Sequence, residues 1–200
     1  MVKTDQQLVR EFLGGDEAAL TALVEKYLKP IYNFTYQLTR DESASQDITQ
    51  DVFVKMWRNM QRFDENKKFS TWIFAIAKNT AYDYLKKKRT LPFAAFESLD
   101  GINILENIED EEILHSENLL QKIDNATDAK KFLETLSPQL QTIFLLHHQQ
   151  GFSLVEIAEI LGTPTNTIKS KYRRALMFLR GNYSSKNTNN KVASETFPVS

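Results

Sequence analysis

The chain has 200 residues, 42% of them hydrophobic, with 25 Lys and Arg against 26 Asp and Glu. This length allows one domain or two small ones. No cysteine is present, which excludes a disulfide framework and a thiolate metal site. No apolar run approaches the roughly 20 residues that cross a membrane, and no signal-peptide segment begins the chain. With only six Gly and five Pro among many helix formers, we expect a soluble, cytoplasmic, all-α protein.

Charge is distributed unevenly along the chain. Residues 1–90 hold 15 Lys and Arg and 12 Asp and Glu, a net charge of +3. Residues 91–127 hold one Lys and nine acids, a net charge of −8, and residues 128–200 hold nine basic and five acidic residues, a net charge of +4. Two basic segments that flank an acidic one predict two small helical domains joined by a flexible acidic linker.

The first segment begins with two predicted helices. A short apolar stripe through Leu8 and Phe12 ends at Gly14. Asp16 is a suitable cap for a second helix, in which apolar residues recur at helical spacing as far as Leu38. Pro30 lies inside this pattern, so we expect one long helix with a bend.

A third helix is predicted from a capping box at Ser43 and Gln46, with Met56 and Trp57 facing inward. Asp47, Gln50 and Asp51 lie on its outward face. Taken alone, these three residues are typical of an ordinary solvated face.

A polar loop over 61–71 and a fourth helix complete this segment. Ser70 is the expected cap of that helix, Trp72 is part of its apolar stripe, and basic residues close it at Arg89. Cations in a last helical turn are favoured by the helix dipole, so they need no ligand. The loop is more informative, because aromatic and amide side chains beside a cationic helix suit an unstacked base and its backbone.

Residues 153–180 predict a helix-turn-helix. Ser153 and Glu156 have capping-box spacing, and Gly162 is placed to end the first helix with a positive φ. Thr163 and Pro164 then suit a second helix start. No acid occurs from Leu161 to Arg180, and a face of cations, hydroxyls and amides suits phosphates and base edges. A helical hairpin with a basic solvated face is the alternative.

Specific motifs in both segments resemble one protein family. Residues 47–53 (DITQDVF), 69–73 (FSTWI) and 76–79 (IAKN) resemble the second conserved region of the sigma-70 family. Together with the helix that carries Ile168, Lys169 and Ser170, they are similar to the compact extracytoplasmic-function (ECF) sigma factors. This family is made up of RNA polymerase subunits that confer promoter specificity and help to open DNA.

The resemblance implies a first domain over 1–90, a linker over 91–127 and a helix-turn-helix domain over 128–182. Residues 183–200 are polar and rich in Ser, Asn and Thr, which predicts a disordered tail. The resemblance also implies that Asp47, Gln50 and Asp51 dock on the clamp of the largest core polymerase subunit. Residues implied in minus-ten recognition and melting are Phe63, Asn66, Lys67, Lys68, Phe69, Ser70, Trp72, Lys78, Asn79, Tyr82 and Lys86. Residues implied in minus-thirty-five recognition are Thr165, Asn166, Thr167, Lys169, Ser170, Lys171, Arg173 and Arg174.

Some positions depart from the family pattern or remain ambiguous. Trp72 suits a core anchor as well as a stacking platform. Lys86 stands where relatives usually carry arginine, which removes a bidentate donor. Many relatives have glycine where Asn166 stands and arginine where Lys171 stands, so the minus-thirty-five target should differ from the usual one.

Two other functions are alternatives to that of a sigma factor. A helix-turn-helix regulator that binds duplex DNA without polymerase has a similar second domain, but it predicts no polymerase-docking face. An enzyme lacks support, because the sequence has no nucleophile–base arrangement or phosphate-binding glycine loop. His147 and His148 are adjacent and should project in different directions, so no metal and no cofactor is expected. Promoter DNA and core polymerase are the expected partners, with a membrane-bound anti-sigma protein as a further family expectation.

Overall fold

The computed structural model of the chain describes residues 3–88, 133 and 135–177. Within these residues every regular element is helical, in agreement with the predicted all-α class. None of the helices in the described part of the chain is long and apolar enough to span a membrane. The linker over 91–127 and the tail over 183–200 lie outside the described residues.

Four helices form the first lobe: α1 (Asp5–Leu13), α2 (Glu17–Thr39), α3 (Glu42–Asn59) and α4 (Phe69–Lys87). A short 3₁₀ turn at Met60–Arg62 follows α3. The predicted cap at Asp16 is confirmed, because its carboxylate accepts from the Ala18 N–H. Pro30 lies inside α2, which continues past it as one helix.

Two predicted helix starts were wrong. The cap of α3 is Asp41, whose side chain accepts from the Ala44 N–H, and the proposed box at Ser43 lies inside the helix. The cap position of α4 is Lys68, which makes no capping hydrogen bond, so Ser70 belongs to the first turn. In both cases the helix begins upstream of the serine. The Asp41 carboxylate supplies the cap of α3, and Phe69, which is 1% exposed, already belongs to the first turn of α4.

The second lobe contains α5 (Pro138–Phe144), a π-helical turn (Leu145–Gln149), α6 (Leu154–Leu161) and α7, which covers 165–177 within the described residues. The capping box of Ser153 and Glu156 is confirmed in both directions. Gly162 ends α6 at φ +62°, a left-handed conformation that glycine adopts without strain. α7 begins one residue later than predicted, and the Thr163 hydroxyl donates to the Leu161 carbonyl.

The two lobes pack against each other around one continuous hydrophobic core. α4 lies against α6, and α2 lies against α5 and the π-helical turn. Phe74 of α4 connects the lobes, because its ring lies 5.5 Å from Phe34 in the first lobe and 5.1 Å from Phe152 in the second. The acidic face of α3 lies elsewhere on the first lobe.

Candidate functional site

The outward face of α3 is an exposed stripe with acids at its N-terminal end. Asp47, Gln50 and Asp51 are all exposed, and the inward side of the same helix buries Ile48, Val52 and Met56. A spacing of three and four residues places the three polar side chains on one side of a rigid helix. Such a face suits hydrogen bonds and ion pairs with basic side chains of a partner.

Trp57 extends this stripe, which contradicts its predicted inward position. Its side chain is 57% exposed, and Val54, one turn before it, is 42% exposed. The apolar residues of α3 occupy an arc wider than the core can bury, and Met56 and Met60 fill the inward positions. Trp57 instead forms one wall of an open groove that Phe12 and Leu13 of α1 complete. We define the α3 face as Asp47, Gln50, Asp51, Val54 and Trp57.

The polar loop between α3 and α4 has an ordered turn at its tip. The Asp64 carboxylate accepts from the backbone and side-chain N–H groups of Asn66, at 3.0 Å each, and the Asp64 carbonyl accepts from the Lys67 N–H. Arg10 of α1 forms an ion pair with Glu65 at 2.6 Å. These bonds leave Asn66, Lys67 and Lys68 exposed at the tip.

The aromatic side chains of the loop lie beneath that tip. Phe69 is 1% exposed and Phe63 is 8% exposed. Their rings lie 5.6 Å apart, and Trp72 packs on both, at 5.1 Å from Phe63 and 5.6 Å from Phe69. In this arrangement the two phenylalanines anchor the loop in the core. Trp72 is half-buried and so acts as a core anchor that keeps a solvent-facing edge.

α4 carries a stripe of Lys78, Tyr82 and Lys86 at four-residue spacing. The Lys78 ammonium lies 5.6 Å from the centre of the Tyr82 ring, a cation–π arrangement. Burial, and then the like charge of Lys86, hold the pKa of Lys78 below its usual value. Burial raises the pKa of Tyr82 to about 12, so its hydroxyl is protonated and able to donate. Asn79 is exposed beside this stripe.

The second lobe covers part of this stripe. The Tyr82 hydroxyl lies 2.8 Å from the hydroxyl of Thr142 on α5. The Thr142 hydroxyl also donates to the Pro138 carbonyl at 2.8 Å, and the Tyr82 hydroxyl lies 3.4 Å from the same carbonyl. A nearby bond joins α5 to α2, from the Gln141 amide to the Gln37 carbonyl at 3.1 Å.

The loop tip also contacts the second lobe. The Lys68 ammonium lies 2.7 Å from the Glu156 carboxylate on α6. The hydrogen bond to Glu156 raises the pKa of Lys68. Burial alone would raise the pKa of Glu156, but hydrogen bonds from Lys68 and Ser153 outweigh it, and the net pKa lies below its ordinary value. The ion pair is therefore charged on both sides at neutral pH.

α7 presents the polar face that the sequence predicted. Asn166 and Lys169 are exposed, and Thr165, Thr167, Ser170, Lys171, Arg173 and Arg174 are half-buried. The Lys171 ammonium donates to the Gln139 side chain on α5 at 2.6 Å. The opposite side of α7 buries Ile168, Tyr172, Ala175 and Leu176 in the core.

His147 and His148 both pack against Tyr172 on the buried side of α7. Their rings lie 4.8 Å apart and both contact Tyr172, so the prediction that they point in different directions was wrong. Both residues belong to the π-helical turn. His147 Nδ1 bonds the Phe152 carbonyl at 2.7 Å, and His148 Nε2 bonds the Tyr172 hydroxyl at 3.0 Å.

Family models match both lobes in the order that the motifs predicted. Sigma-70 region 2 matches residues 23–90, and Sigma-70, region 4, matches residues 128–179. The first match spans 68 residues and the second 52, together 120 of the 200. The chain is 29% identical over 174 residues to the ECF RNA polymerase sigma factor SigW of Bacillus subtilis, covering 86% of this chain and 92% of that protein. It is 29% identical over 173 residues to the ECF RNA polymerase sigma-E factor of Escherichia coli, covering 86% and 90%.

Solved structures share the fold. The chain matches CnrH in complex with the cytosolic domain of CnrY with a TM-score of 0.63 and 20% identity, over 92% of this chain and 99% of that one. It matches the sigma factor RpoE in complex with the anti-sigma factor NepR from Bartonella quintana with a TM-score of 0.56 and 23% identity, over 78% and 90%.

Proposed function

Because this chain belongs to the sigma-70 family, and within it to the ECF sigma factors, we propose that it docks on core RNA polymerase, recognises the minus-thirty-five and minus-ten elements and promotes DNA melting. The observation that carries this proposal is the occurrence of an exposed acidic face on α3 and a cationic stripe on α4 in the first lobe, together with a helix-turn-helix in the second. A transcription initiation factor needs all three surfaces, whereas a regulator that only binds duplex DNA needs one.

We assign the α3 face to the clamp of the largest polymerase subunit. A rigid helix that presents Asp47, Gln50 and Asp51 offers two carboxylates and an amide to basic side chains of a partner. Trp57 next to them supplies an exposed aromatic ring, the kind of side chain that dominates interface energetics when it is buried. The polar residues would set orientation and the indole would supply apolar contact area.

We assign the loop tip and the α4 stripe to the minus-ten element. Asn66, Lys67 and Lys68 project from an ordered turn, and amide and ammonium groups suit a base edge and the backbone phosphates. Lys78, Asn79, Tyr82 and Lys86 would follow the same strand along α4. The loop is anchored in the core by the packed rings of Phe63, Phe69 and Trp72. Ser70 lies in the first turn of α4.

We assign the polar face of α7 to the major groove of the minus-thirty-five element. Asn166 is exposed near the helix N-terminus, where a recognition helix contacts base edges, and an asparagine can read adenine through two hydrogen bonds. Lys169, Lys171, Arg173 and Arg174 would contact phosphates or bases. Thr165, Thr167 and Ser170 would add hydroxyl contacts.

The proposal divides the chain into a polymerase-docking and melting domain over 1–90, a linker over 91–127, a helix-turn-helix domain over 128–182 and a tail over 183–200. Promoter DNA and core polymerase are its proposed partners, and the cytoplasm is its proposed location. An anti-sigma protein is a further proposed partner, since one of the structures that share the fold is a sigma factor in complex with an anti-sigma factor.

Run-off transcription tests the proposal directly. Core polymerase with this protein should give defined transcripts from selected promoter fragments, and core polymerase alone should not. Sequencing of the transcript ends would give the positions of the promoter elements. If the protein bound duplex DNA by itself and never retained or redirected polymerase, the helix-turn-helix regulator would be the correct assignment.

A further inference from the structure

The first helix of the chain lies beside the polar loop that we assign to the minus-ten element. α1 covers Asp5–Leu13 and precedes the Sigma-70 region 2 match, which begins at residue 23. Leu8 and Val9 are buried, and the helix packs against α2, α4 and the 3₁₀ turn. This burial fixes α1 on the first lobe, so its outward polar side chains project from a rigid support.

Arg10 joins α1 to the tip of the loop. Its Nε donates to the Glu65 carboxylate at 2.6 Å, between residues that lie 55 positions apart in the chain. Glu65 stands between Asp64 and Asn66, whose hydrogen bonds form the turn at the tip. Those bonds are local, so they fix the shape of the turn but not its direction relative to the lobe. The ion pair with Arg10 is a long-range contact that fixes this direction.

α1 also supports the loop where it enters α4. The Tyr27 hydroxyl donates to the Asp5 carboxylate at 2.7 Å, and the Tyr27 ring packs on Phe69 at 5.4 Å. A side-chain hydrogen bond joins Ser70 to the same tyrosine. Burial and the bond to Asp5 raise the pKa of Tyr27, so its hydroxyl stays protonated and able to donate. The helix therefore contacts the loop directly at its tip and, through Tyr27, at its C-terminal end.

The charges at the tip give the Arg10–Glu65 pair a second effect. Asn66 and Lys67 are exposed beside Glu65, so a strand bound by them brings its phosphates near this carboxylate. An unpaired carboxylate would repel the phosphates, and the Arg10 guanidinium compensates its charge. A tip that is already held in one orientation also loses less conformational freedom when it binds. The pair lies entirely within the first lobe, so it does not depend on the position of the second.

We propose that Arg10 is a positioning residue for the minus-ten strand: its ion pair with Glu65 holds the loop tip in the orientation in which Asn66 and Lys67 meet the strand. Arg10 acts through Glu65 and does not itself contact DNA. Glu65, an acid within a DNA-binding loop, favours strand binding because it anchors the tip. This inference rests on the proposed function of the loop.

The sign of one substitution separates positioning from direct contact. Glu65→Gln removes a negative charge from the loop, and electrostatics alone then predicts tighter binding of DNA. Binding should also tighten if Arg10 contacted phosphates itself, because the substitution would release its guanidinium. Positioning predicts the opposite result, a three- to fivefold weaker affinity for the minus-ten strand. An unchanged or tighter affinity would overturn the proposal.

Affinity is measured by fluorescence anisotropy with the full-length protein bound to core polymerase. The probe is a single-stranded oligonucleotide with the non-template minus-ten sequence of a promoter that the run-off assay identifies. Arg10→Ala should weaken binding five- to tenfold, because it also leaves Glu65 unpaired. Adding Glu65→Gln should bring the loss back to that of Glu65→Gln alone, since both substitutions then remove one shared contact. Additive losses would overturn that shared contact.

A matched control is available on the same helix. Lys3 pairs with Glu11 of α1 at 2.7 Å, and this exposed ion pair does not involve the loop. Lys3→Ala should therefore bind the oligonucleotide normally. A loss equal to that of Arg10→Ala would indicate a general effect of charge and would overturn the proposal.

Two further measurements distinguish positioning from a loss of stability. An exposed ion pair adds little to the free energy of unfolding, so the melting temperature of Arg10→Ala should be unchanged. Amide hydrogen exchange at Asn66 and Lys67 in the free protein should become faster, because the tip is less restrained. Unchanged exchange together with weaker strand binding would overturn positioning in favour of direct contact.

The oligonucleotide assay also separates this inference from the proposed function. If the wild-type complex bound the minus-ten sequence no better than a scrambled one, the proposed function of the loop would be wrong, and the role of Arg10 in it as well. If the wild-type complex preferred the minus-ten sequence and neither variant weakened that binding, only the role of Arg10 would be wrong.

Discussion

Two faces of the first lobe differ in what covers them. The α3 face is open, with Trp57 more than half exposed. The α4 face is tied to the second lobe through Tyr82, Phe74 and Lys68. The proposed polymerase-docking face is therefore accessible in the free protein, whereas the proposed strand-binding face is in contact with the second lobe.

The largest effect should come from removing the polar part of the open face. Asp47→Ala, Gln50→Ala and Asp51→Ala together should weaken binding to core polymerase about 100-fold, or about 2.7 kcal/mol. All three side chains are exposed, so the fold should be unaffected. Binding is measured by fluorescence titration with labelled protein. Glu17→Ala with Glu25→Ala, two exposed acids of α2, is the matched control and should bind normally.

Trp57→Ala should produce the next largest loss, about thirtyfold in core affinity, because a buried interface tryptophan is typically worth about 2 kcal/mol. Thermal stability should be unchanged, since the ring makes little contact with the protein core. Tyr36→Ala removes another exposed aromatic, on α2, and should leave the affinity intact. A lower melting temperature with normal affinity would instead indicate that Trp57 stabilises the core, as its position in the apolar pattern of α3 predicted.

On the second lobe, Asn166→Ala should act on specificity. Loss of a bidentate contact should remove about 1–3 kcal/mol of discrimination at one base pair of the minus-thirty-five element. Transcription from promoters substituted at each position measures this. Lys169→Ala is the contrasting variant, since the loss of a phosphate contact weakens all promoters alike and reduces the salt dependence. If both variants weakened all promoters alike, Asn166 would not read a base.

The smallest effect is expected at the turn between α6 and α7. Gly162→Ala has room for its methyl group, but φ +62° costs a non-glycine residue about 1 kcal/mol. Asparagine tolerates this conformation better, so Gly162→Asn should lose less. Chemical denaturation measures both. Equal losses for the two variants would point to a cause other than backbone conformation.

Local rules explain why parts of the fold were predictable. The Ser153 and Glu156 box and the left-handed Gly162 depend only on residues a few positions apart, and both were found as predicted. The start of α5 at Ser137 and Pro138 was likewise readable, because a capping hydroxyl and a proline act within one turn. The predicted caps at Ser43 and Ser70 were wrong because Asp41 supplies the cap of α3 and because Phe69, buried in the core, already belongs to α4.

The exposed α3 face and the contact between the two lobes could not be predicted from the sequence. Trp57 is apolar and lies at helical spacing, and only the positions of Met56 and Met60 reveal that the core has no room for it. Thr142 and Gln141 carry no distinctive signal, since a hydroxyl and an amide on a helix are ordinary. Their roles depend on how one lobe meets another across 100 residues or more of chain separation at Gln37–Gln141. No periodic pattern reports such a contact.

The position of Phe74 between Phe34 and Phe152 has a consequence for how the protein melts. A second lobe of roughly 50 residues is near the size at which a hydrophobic core alone sustains a fold. With one aromatic row running through both lobes, heat should unfold the free protein in a single cooperative transition.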